Sequence, residues 1–323
     1  MRIPCAIYRA GTSKPVLFTE DQLPGDARLR DQIVLEAFGA SDVRQIDGLG
    51  GGDPRTSKVA YIGPSTVPDA DVNYTFGYVG IGAPLIDYRG NCGNTSAAVG
   101  PFAVLRGLIR PVGPITCVRI YNTNTKKVIR AQFELRDDTP LHTASPVRTG
   151  EPSQAPAGPS SGTKVVLDFA GCHGSVTGRL LPTGRVRDKV RFPTLGVLEV
   201  SLVDAANPFA FVRAEDLGLR GSENGDGFVR HGALQKCEEI RATVADLLGI
   251  ASYAEATHVS PGVPKVAVVA GPATYETVNG CVQASQVDVV ARMTALQRPH
   301  SAFGATGAVC LAAAAQVDGT IVN

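Results

Sequence analysis

With 323 residues the chain exceeds one typical domain of roughly 150, and its 44% hydrophobic and 19% charged residues exclude a disordered polymer. Lys plus Arg (31) offsets Asp plus Glu (30), so the formal charge of +1 supplies no global basic field for nucleic acid or an anionic membrane. No apolar run approaches the ~20 residues that span a bilayer, and MRIPCAIYRAGTSK, with cations and no apolar h-region, does not read as a signal peptide.

In chain order, the first half opens with apolar runs at Ile3–Ile7 and Val16–Phe18. Leu29, Ile33, Val34, Ala37 and Phe38 follow helical spacing between Asp26 and Phe38, with Gly39 as C-cap. Strand-like stretches follow at Lys58–Ile62, Val72–Ile81 and Ile115–Tyr121. From Ile129 to Leu135 apolar Ile129, Ala131, Phe133 and Leu135 alternate with Arg130, Gln132 and Glu134, the pattern of a half-buried strand.

The segment Ala144–Gly162 is rich in Pro, Ser, Gly and Ala and nearly lacks large apolar residues. It reads as a linker (146–162) between domains spanning 1–145 and 163–323. In the second half, strands are expected at Lys164–Phe169, Leu198–Val203 and Lys265–Ala270. Helices are expected at Ala233–Leu248, Val287–Leu296 and Thr306–Ala315. Strands and helices do not alternate, so α+β is favoured over a doubly wound sheet.

The seven cysteines are scattered and form no CxxC pair, which argues against a disulfide framework or a structural zinc site and for a reducing cytoplasm. Cys172-His173 lacks further ligands at metal spacing. No HExxH or GxSxG motif occurs, which leaves metallo- and serine-hydrolase chemistry unsupported. GLGGGD, from Gly48, fails the dinucleotide fingerprint, because Asp53 stands where the third glycine belongs and a strand follows.

Three stretches carry candidate chemistry. In GNCGNTSAAVG, from Gly90, Cys92 precedes a helix start whose free N–H groups would bind carboxylate and acidify a thiol; a small buried cysteine in a loop is the alternative. Lys58 opens an apolar strand, where it is either a desolvated base or a solvated surface lysine. RAGTSK, from Arg9, combines hydroxyls and cations suited to an anion, or forms an ordinary strand-to-loop corner.

In chain order, these stretches resemble the PrpF-like methylaconitate and methylitaconate isomerase family, within the diaminopimelate epimerase fold. The matching motifs are RAGTSK, DVRQIDGLGGGDPRTSK, GPSTVPDADVNYTF, GNCGNTSA, IYNTNTKK, LLPTGR, VDAANPFAFV and ATGAVCLAAAA. The first third is closest to the methylitaconate Δ-isomerase branch. The resemblance implies two similar β-rich α+β domains, each rolled around a central helix, with the active site in the cleft between them and no metal, flavin or pyridoxal. The central helices would follow Cys92 and Thr306.

Parent epimerases oppose two cysteines; the second would fall at Gly304, and Cys310 lies further into its helix as packing. In the isomerase branch a lysine takes that role, and TSK maps it onto Lys58. Two departures stand out: Pro15 replaces the glycine usual after RxGTSK, and the chain stops at GTIVN, so the usual final strands are expected to be missing.

The resulting expectation is a cofactor-independent 1,3-allylic proton shift on a small unsaturated di- or tricarboxylate such as methylitaconate or aconitate. Lys58 and Cys92 are the acid–base pair, in an order left open. Substrate contacts are expected from Thr12, Ser13, Ser57, Asn91, Gly93, Asn94 and Thr95. Arg292 is either a further carboxylate clamp or a helix-surface cation. The alternatives are 2-methylaconitate cis–trans isomerisation, 4-oxalomesaconate tautomerisation and, from another class, a non-catalytic carboxylate-binding homologue. The expected protein is cytoplasmic, binds neither nucleic acid nor membrane, and is compatible with a homodimer.

Overall fold

The computed structural model describes residues 2–136, 139–140, 164–223, 225–277 and 280–323; the linker expected at 146–162 lies outside the described residues. The chain divides into two compact units, Met1–Cys172 and His173–Asn323.

The first unit is built on one mixed sheet. Its strands are β1 (Ala6–Ile7), β2 (Val16–Thr19), β3 (Lys58–Pro64), β4 (Val72–Val79), β5 (Ile86–Asp87), β6 (Ile115–Asn122), β7 (Lys127–Arg136), β8 (Thr139–Pro140) and β9 (Val165–Asp168). The helices are α1 (Ala27–Phe38) and α2 (Gly93–Leu105). The strand order is β1-β2-β3-β4-β6-β7-β8, with β5 added to β4 and β9 to β7. The β2–β3 and β4–β6 pairs are parallel and the others antiparallel.

Period-2 alternation divides β3 between two layers. Val59 and Tyr61 join Val16, Phe18, Val34 and Phe38 in a core under α1. Asp26 caps α1 by accepting from the Leu29 N–H at 2.8 Å, and Gly39, at φ 66°, closes it in the left-handed conformation that favours glycine. The alternation read in β7 is present: Ile129, Ala131, Phe133 and Leu135 are buried while Arg130, Gln132 and Glu134 are exposed.

The sequence of α2 has no polar face, so the helix must be covered on every side. It is buried from Thr95 through Ala103 and packs against β3, β4, β6, β7, β8 and β9, the central position expected of it. Burying Phe102 alone contributes about 2–3 kcal/mol of apolar transfer. The approach to the sheet is close. A Cβ on Gly100 would stand 2.6 Å from Phe133 Cε1, so only glycine fits there without displacing the ring.

The second unit contains β10 (Asp188–Phe192), β11 (Gly196–Ala205), β12 (Asn207–Arg213), β13 (Lys265–Ala270), β14 (Tyr275–Thr277), β15 (Gly280–Val282), β16 (Val290–Ala295) and β17 (Arg298–Pro299). Its helices are α3 (Gly225–Arg230), α4 (Ala233–Leu247), α5 (Ala256–Val259) and α6 (Ala305–Ala315). The main sheet runs β10-β11-β12-β13-β16-β17, with β12–β13 parallel, and β14–β15 forms a separate hairpin. Alternation again sorts the layers. Val200, Leu202, Ala210, Val212, Val266 and Val268 pack with Cys237, Ile240 and Val244 of α4. Val203, Phe209, Phe211, Ala267 and Val269 pack with Cys310 and Ala314 of α6.

One expected element changes type. The segment 287–296, read as a helix, forms β16, antiparallel to β13 from Ala267↔Met293 to Ala270↔Val290. The spacing of Val289, Val290, Met293 and Leu296 satisfies a helix on paper. Over so short a run, however, an open edge of β13 offers a β-branched segment better burial than an isolated helix turn would.

Candidate active site

Three separate segments of the first unit converge at the N-terminus of α2. The turn Ala10–Ser13 closes on itself through reciprocal backbone hydrogen bonds of 2.8 Å between Ala10 and Ser13. Gly11 sits there at φ 55°, and a Cβ on it would strike Asn94 Oδ1 at 2.2 Å, so glycine is needed both for the turn and for its contact with α2. Asn94 Nδ2 donates to Thr12 Oγ1 at 3.0 Å, which pins the turn to the first turn of the helix. The Lys14 N–H donates to Arg55 O at 2.8 Å, and this ties the same segment to the loop before β3.

Lys58 is the first residue of β3 and its side chain points to the α2 layer. Its Nζ donates to Ser13 Oγ at 2.7 Å and to Cys92 Sγ at 3.4 Å. Ser13, Lys58 and Cys92 expose only 1%, 2% and 4% of their surface, so this lysine is the desolvated kind, not the surface kind. A buried ammonium without partners is strongly disfavoured; here a thiol, a hydroxyl and the face of Tyr78, 5.5 Å from Nζ, surround it.

Cys92 is the N-cap of α2, in extended conformation. Burial alone would push its thiol pKa up. The Lys58 charge, the Thr95 hydroxyl and N–H, and the Lys58 hydrogen bond together outweigh burial and hold it below the ordinary thiol value. The other buried cysteines go the opposite way. Cys172 is pushed up to about 11 and Cys237 to about 12, chiefly by burial, and Cys310, which donates to Val203 O at 3.3 Å, is also raised. At Cys172 and Cys237 the charges of Lys127 and Lys236 also pull the value down but do not offset burial; at Cys92 the Lys58 charge together with the Thr95 and Lys58 hydrogen bonds does.

Around the pair, Ser96 Oγ donates to Cys92 O at 3.1 Å and to Asn91 Oδ1 at 3.4 Å, and Tyr74 OH donates to Cys92 O at 3.4 Å. These bonds fix the Asn91–Cys92 backbone. Thr95 Oγ1 is buried without a hydrogen-bond partner of normal geometry. Gly93 is buried at the start of α2.

The structure thus brings Thr12, Ser13, Lys58, Asn91, Cys92, Gly93, Asn94 and Thr95 into one neighbourhood. Ser57 is buried, but its hydroxyl donates to Gln45 Oε1 at 2.6 Å, in the loop that precedes β3. Arg292 lies in the second unit, on strand β16 and not on a helix. Its Nε donates to Glu223 O at 2.8 Å, its Nη1 to Ala291 O at 2.9 Å, and the guanidinium covers the Tyr275 ring at 5.0 Å.

Three participants were not anticipated from the sequence. Tyr74 and Tyr78 share one face of a strand that is buried on both faces, and nothing local tells which face meets Cys92. Gln45 carries no signal beyond lying in a polar loop; folded, it is buried, accepts from Ser57 and the Gly52 N–H, and donates to Gly80 O at 3.0 Å. Among the described residues no group of three or more His, Cys, Asp and Glu side chains could hold a metal, and no helix is long and apolar enough to cross a membrane.

The first unit is thus an α+β unit in which a buried helix N-terminus sets a thiol of lowered pKa beside a primary amine. The family follows from comparison. The family model described as PrpF protein matches residues 1–323, and the chain belongs to that family. It is 42% identical over 327 residues to the 3-methylitaconate isomerase of Eubacterium barkeri, covering 100% of this chain and 84% of that protein. It is 37% identical over 323 residues to the 4-oxalomesaconate tautomerase of Pseudomonas putida, covering 100% of this chain and 82% of that protein. The crystal structure of a methylitaconate-delta-isomerase superposes with a TM-score of 0.75 at 42% identity, covering 100% of this chain and 82% of that one.

Proposed function

We propose that this protein is a cofactor-independent isomerase that moves a proton between the ends of an allylic unit in a small unsaturated di- or tricarboxylate of the methylitaconate or aconitate type. The observation that carries this reading is the buried contact between Lys58 Nζ and Cys92 Sγ at 3.4 Å. Lys58 and Cys92 are two titratable groups in direct contact, and the Lys58 charge helps hold the Cys92 thiol below its ordinary value, the coupling an acid–base pair needs.

In the forward step the Cys92 thiolate takes a proton from the carbon next to the double bond. The π electrons move along the allyl unit, and negative charge spreads onto the adjoining carboxylate. The first-turn N–H groups of α2 near Gly93–Thr95, with the Asn94 amide and the Thr12 and Ser13 hydroxyls, are placed to stabilise it. Asn91 positions the loop, and Ser57 acts through Gln45. The Lys58 ammonium then protonates the far carbon. The pair is left as thiol and amine, and one proton returning from Sγ to Nζ restores it.

The two groups touch, so both act on one face of the substrate, a spacing that suits ends of an allyl unit two bonds apart. Racemisation requires donors on opposite faces, so the pair favours a suprafacial shift. The same chemistry serves keto–enol tautomerisation when the far atom is oxygen, which keeps oxalomesaconate among the candidates.

Proton NMR in D2O tests the proposal with methylitaconate, aconitate and oxalomesaconate as separate substrates. Deuterium entering an allylic position, and lost with Cys92→Ser, is the expected result. No exchange in any of the three by folded protein overturns it and favours a carboxylate-binding role.

A further inference from the structure

We propose that Tyr78 is a positioning residue of the acid–base pair: the face of its ring holds the Lys58 Nζ in place beside Cys92 Sγ. The inference deepens the functional reading and rests on its Lys58–Cys92 assignment.

The register supplies the contact. On the antiparallel β3–β4 ladder Lys58 lies directly opposite Tyr78, and on β4–β5 Tyr78 lies directly opposite Asp87. The Lys58 Nζ sits over the Tyr78 ring, 5.5 Å from its centroid, inside the range where the negative face of an aromatic ring attracts a cation. An ammonium has three N–H bonds to satisfy. Ser13 Oγ takes one, Cys92 Sγ takes a second, and the ring face lies on the third side. The ring is not free to turn away, because Phe76 packs against it edge-on, with centroids 4.6 Å apart and planes at 85°.

Among the described residues, the titratable groups coupled to the pair are Tyr74 and Tyr78 from β4, and Asp87 from β5 faces Tyr78. The Asp87 carboxylate is engaged by the Arg89 N–H at 3.0 Å. Burial first, then the nearby Cys92 and Asp87 charges, raise the Tyr78 hydroxyl well above its ordinary value. Tyr78 therefore stays a neutral phenol throughout the working range. What it offers the cation is a ring quadrupole and not a negative oxygen. In a buried site such a contact is strong, because water does not compete for the ammonium.

The test replaces Tyr78 with Phe and then with phenylalanines carrying one, two and three ring fluorines, which keep the ring in its slot while weakening its negative face. Thiolate absorbance near 240 nm is titrated in the free protein, with the Cys92→Ser titration subtracted to remove the other thiols and phenols. The Phe variant should titrate close to the parent, and the midpoint should rise with each fluorine, by about one pH unit across the series. A midpoint that ignores fluorination overturns the proposal, as does an equal rise with Phe alone, which would assign the effect to the hydroxyl. If the parent itself shows no low-lying Cys92 titration, the ion-pair reading falls with it. Isomerase activity enters none of these measurements, so a wrong substrate leaves the outcome legible.

Discussion

Each unit buries the start of an apolar helix against its sheet, yet the two helix starts do different work. At α2 the N-cap is Cys92, and a lysine reaches it from the neighbouring strand. At α6 the N-cap is Gly304, whose N–H lies 3.2 Å from Met293 Sδ, while Asn207 Nδ2 donates to Thr306 Oγ1 at 3.0 Å. The second start is not short of space. A Cβ on Gly304 would meet Met293 Sδ at 3.6 Å and His300 Nε2 at 3.8 Å, ordinary contacts, in a backbone conformation open to any residue. A helix N-terminus alone is a partial positive charge; it becomes acid–base machinery only when a titratable side chain and a buried counter-charge meet there.

Substitution at the pair breaks that contrast most severely. Cys92→Ser leaves the turn intact and should reduce turnover by roughly 10²–10⁴-fold or more, the usual worth of an acid–base group, with an unchanged melting profile. Full activity in the serine variant would remove Cys92 from the mechanism. Lys58→Met should lose a similar factor and, in addition, raise the Cys92 pKa above its ordinary 9.0, because burial would then act without the opposing cation. The midpoint of the thiolate absorbance titration should move up with it.

The pH profile sharpens the same point. The Cys92 pKa is lowered in the folded protein, so the thiolate is present above that lowered value and is lost as pH falls through it. The acid limb of kcat/KM in the parent should therefore lie below the ordinary thiol range, and in any active Lys58 variant it should move upward. An acid limb at the same pH in both would detach the lysine from the thiol.

Smaller effects separate the two helices as packing objects. Gly100→Ala drives a methyl against Phe133 at 2.6 Å and should cost about 1–3 kcal/mol, read as a lower denaturation midpoint. Gly307→Ala on α6 meets Phe303 Cε1 at 3.0 Å and Met293 Sδ and Phe209 Cζ both at 3.2 Å, looser approaches than at Gly100, and should cost less. Gly304→Ala should be nearly silent, within about 0.5 kcal/mol. A large loss there would mean that the second helix start is as tightly built as the first.

Much of the architecture was legible because local physics repeats along the chain. Asp26 and Gly39 mark both ends of α1, alternation marks β7, and an apolar run marks β13 at Lys265–Ala270. That α2 would be enclosed came from the family resemblance and not from a local pattern. The strand β16 was misread because a short apolar run satisfies two periods, and only the open edge of β13 decided between them. Family motifs in the residues pointed to Lys58 and Cys92, but their chemistry was not legible locally: each had a plain alternative as a surface lysine and a packed thiol.

By itself, then, the sequence determined which residues could form caps and alternating strands, since those properties depend on neighbours within a few positions. Tertiary structure decided the rest. Ser13, Lys58 and Cys92 are 45 and 34 positions apart along the chain at the contacts that matter, and Ser57, adjacent to Lys58, turns instead to Gln45. Whether a thiol is acidified or inert depends on which charge the fold sets beside it in a medium that screens poorly, and no local pattern of residues encodes that distance.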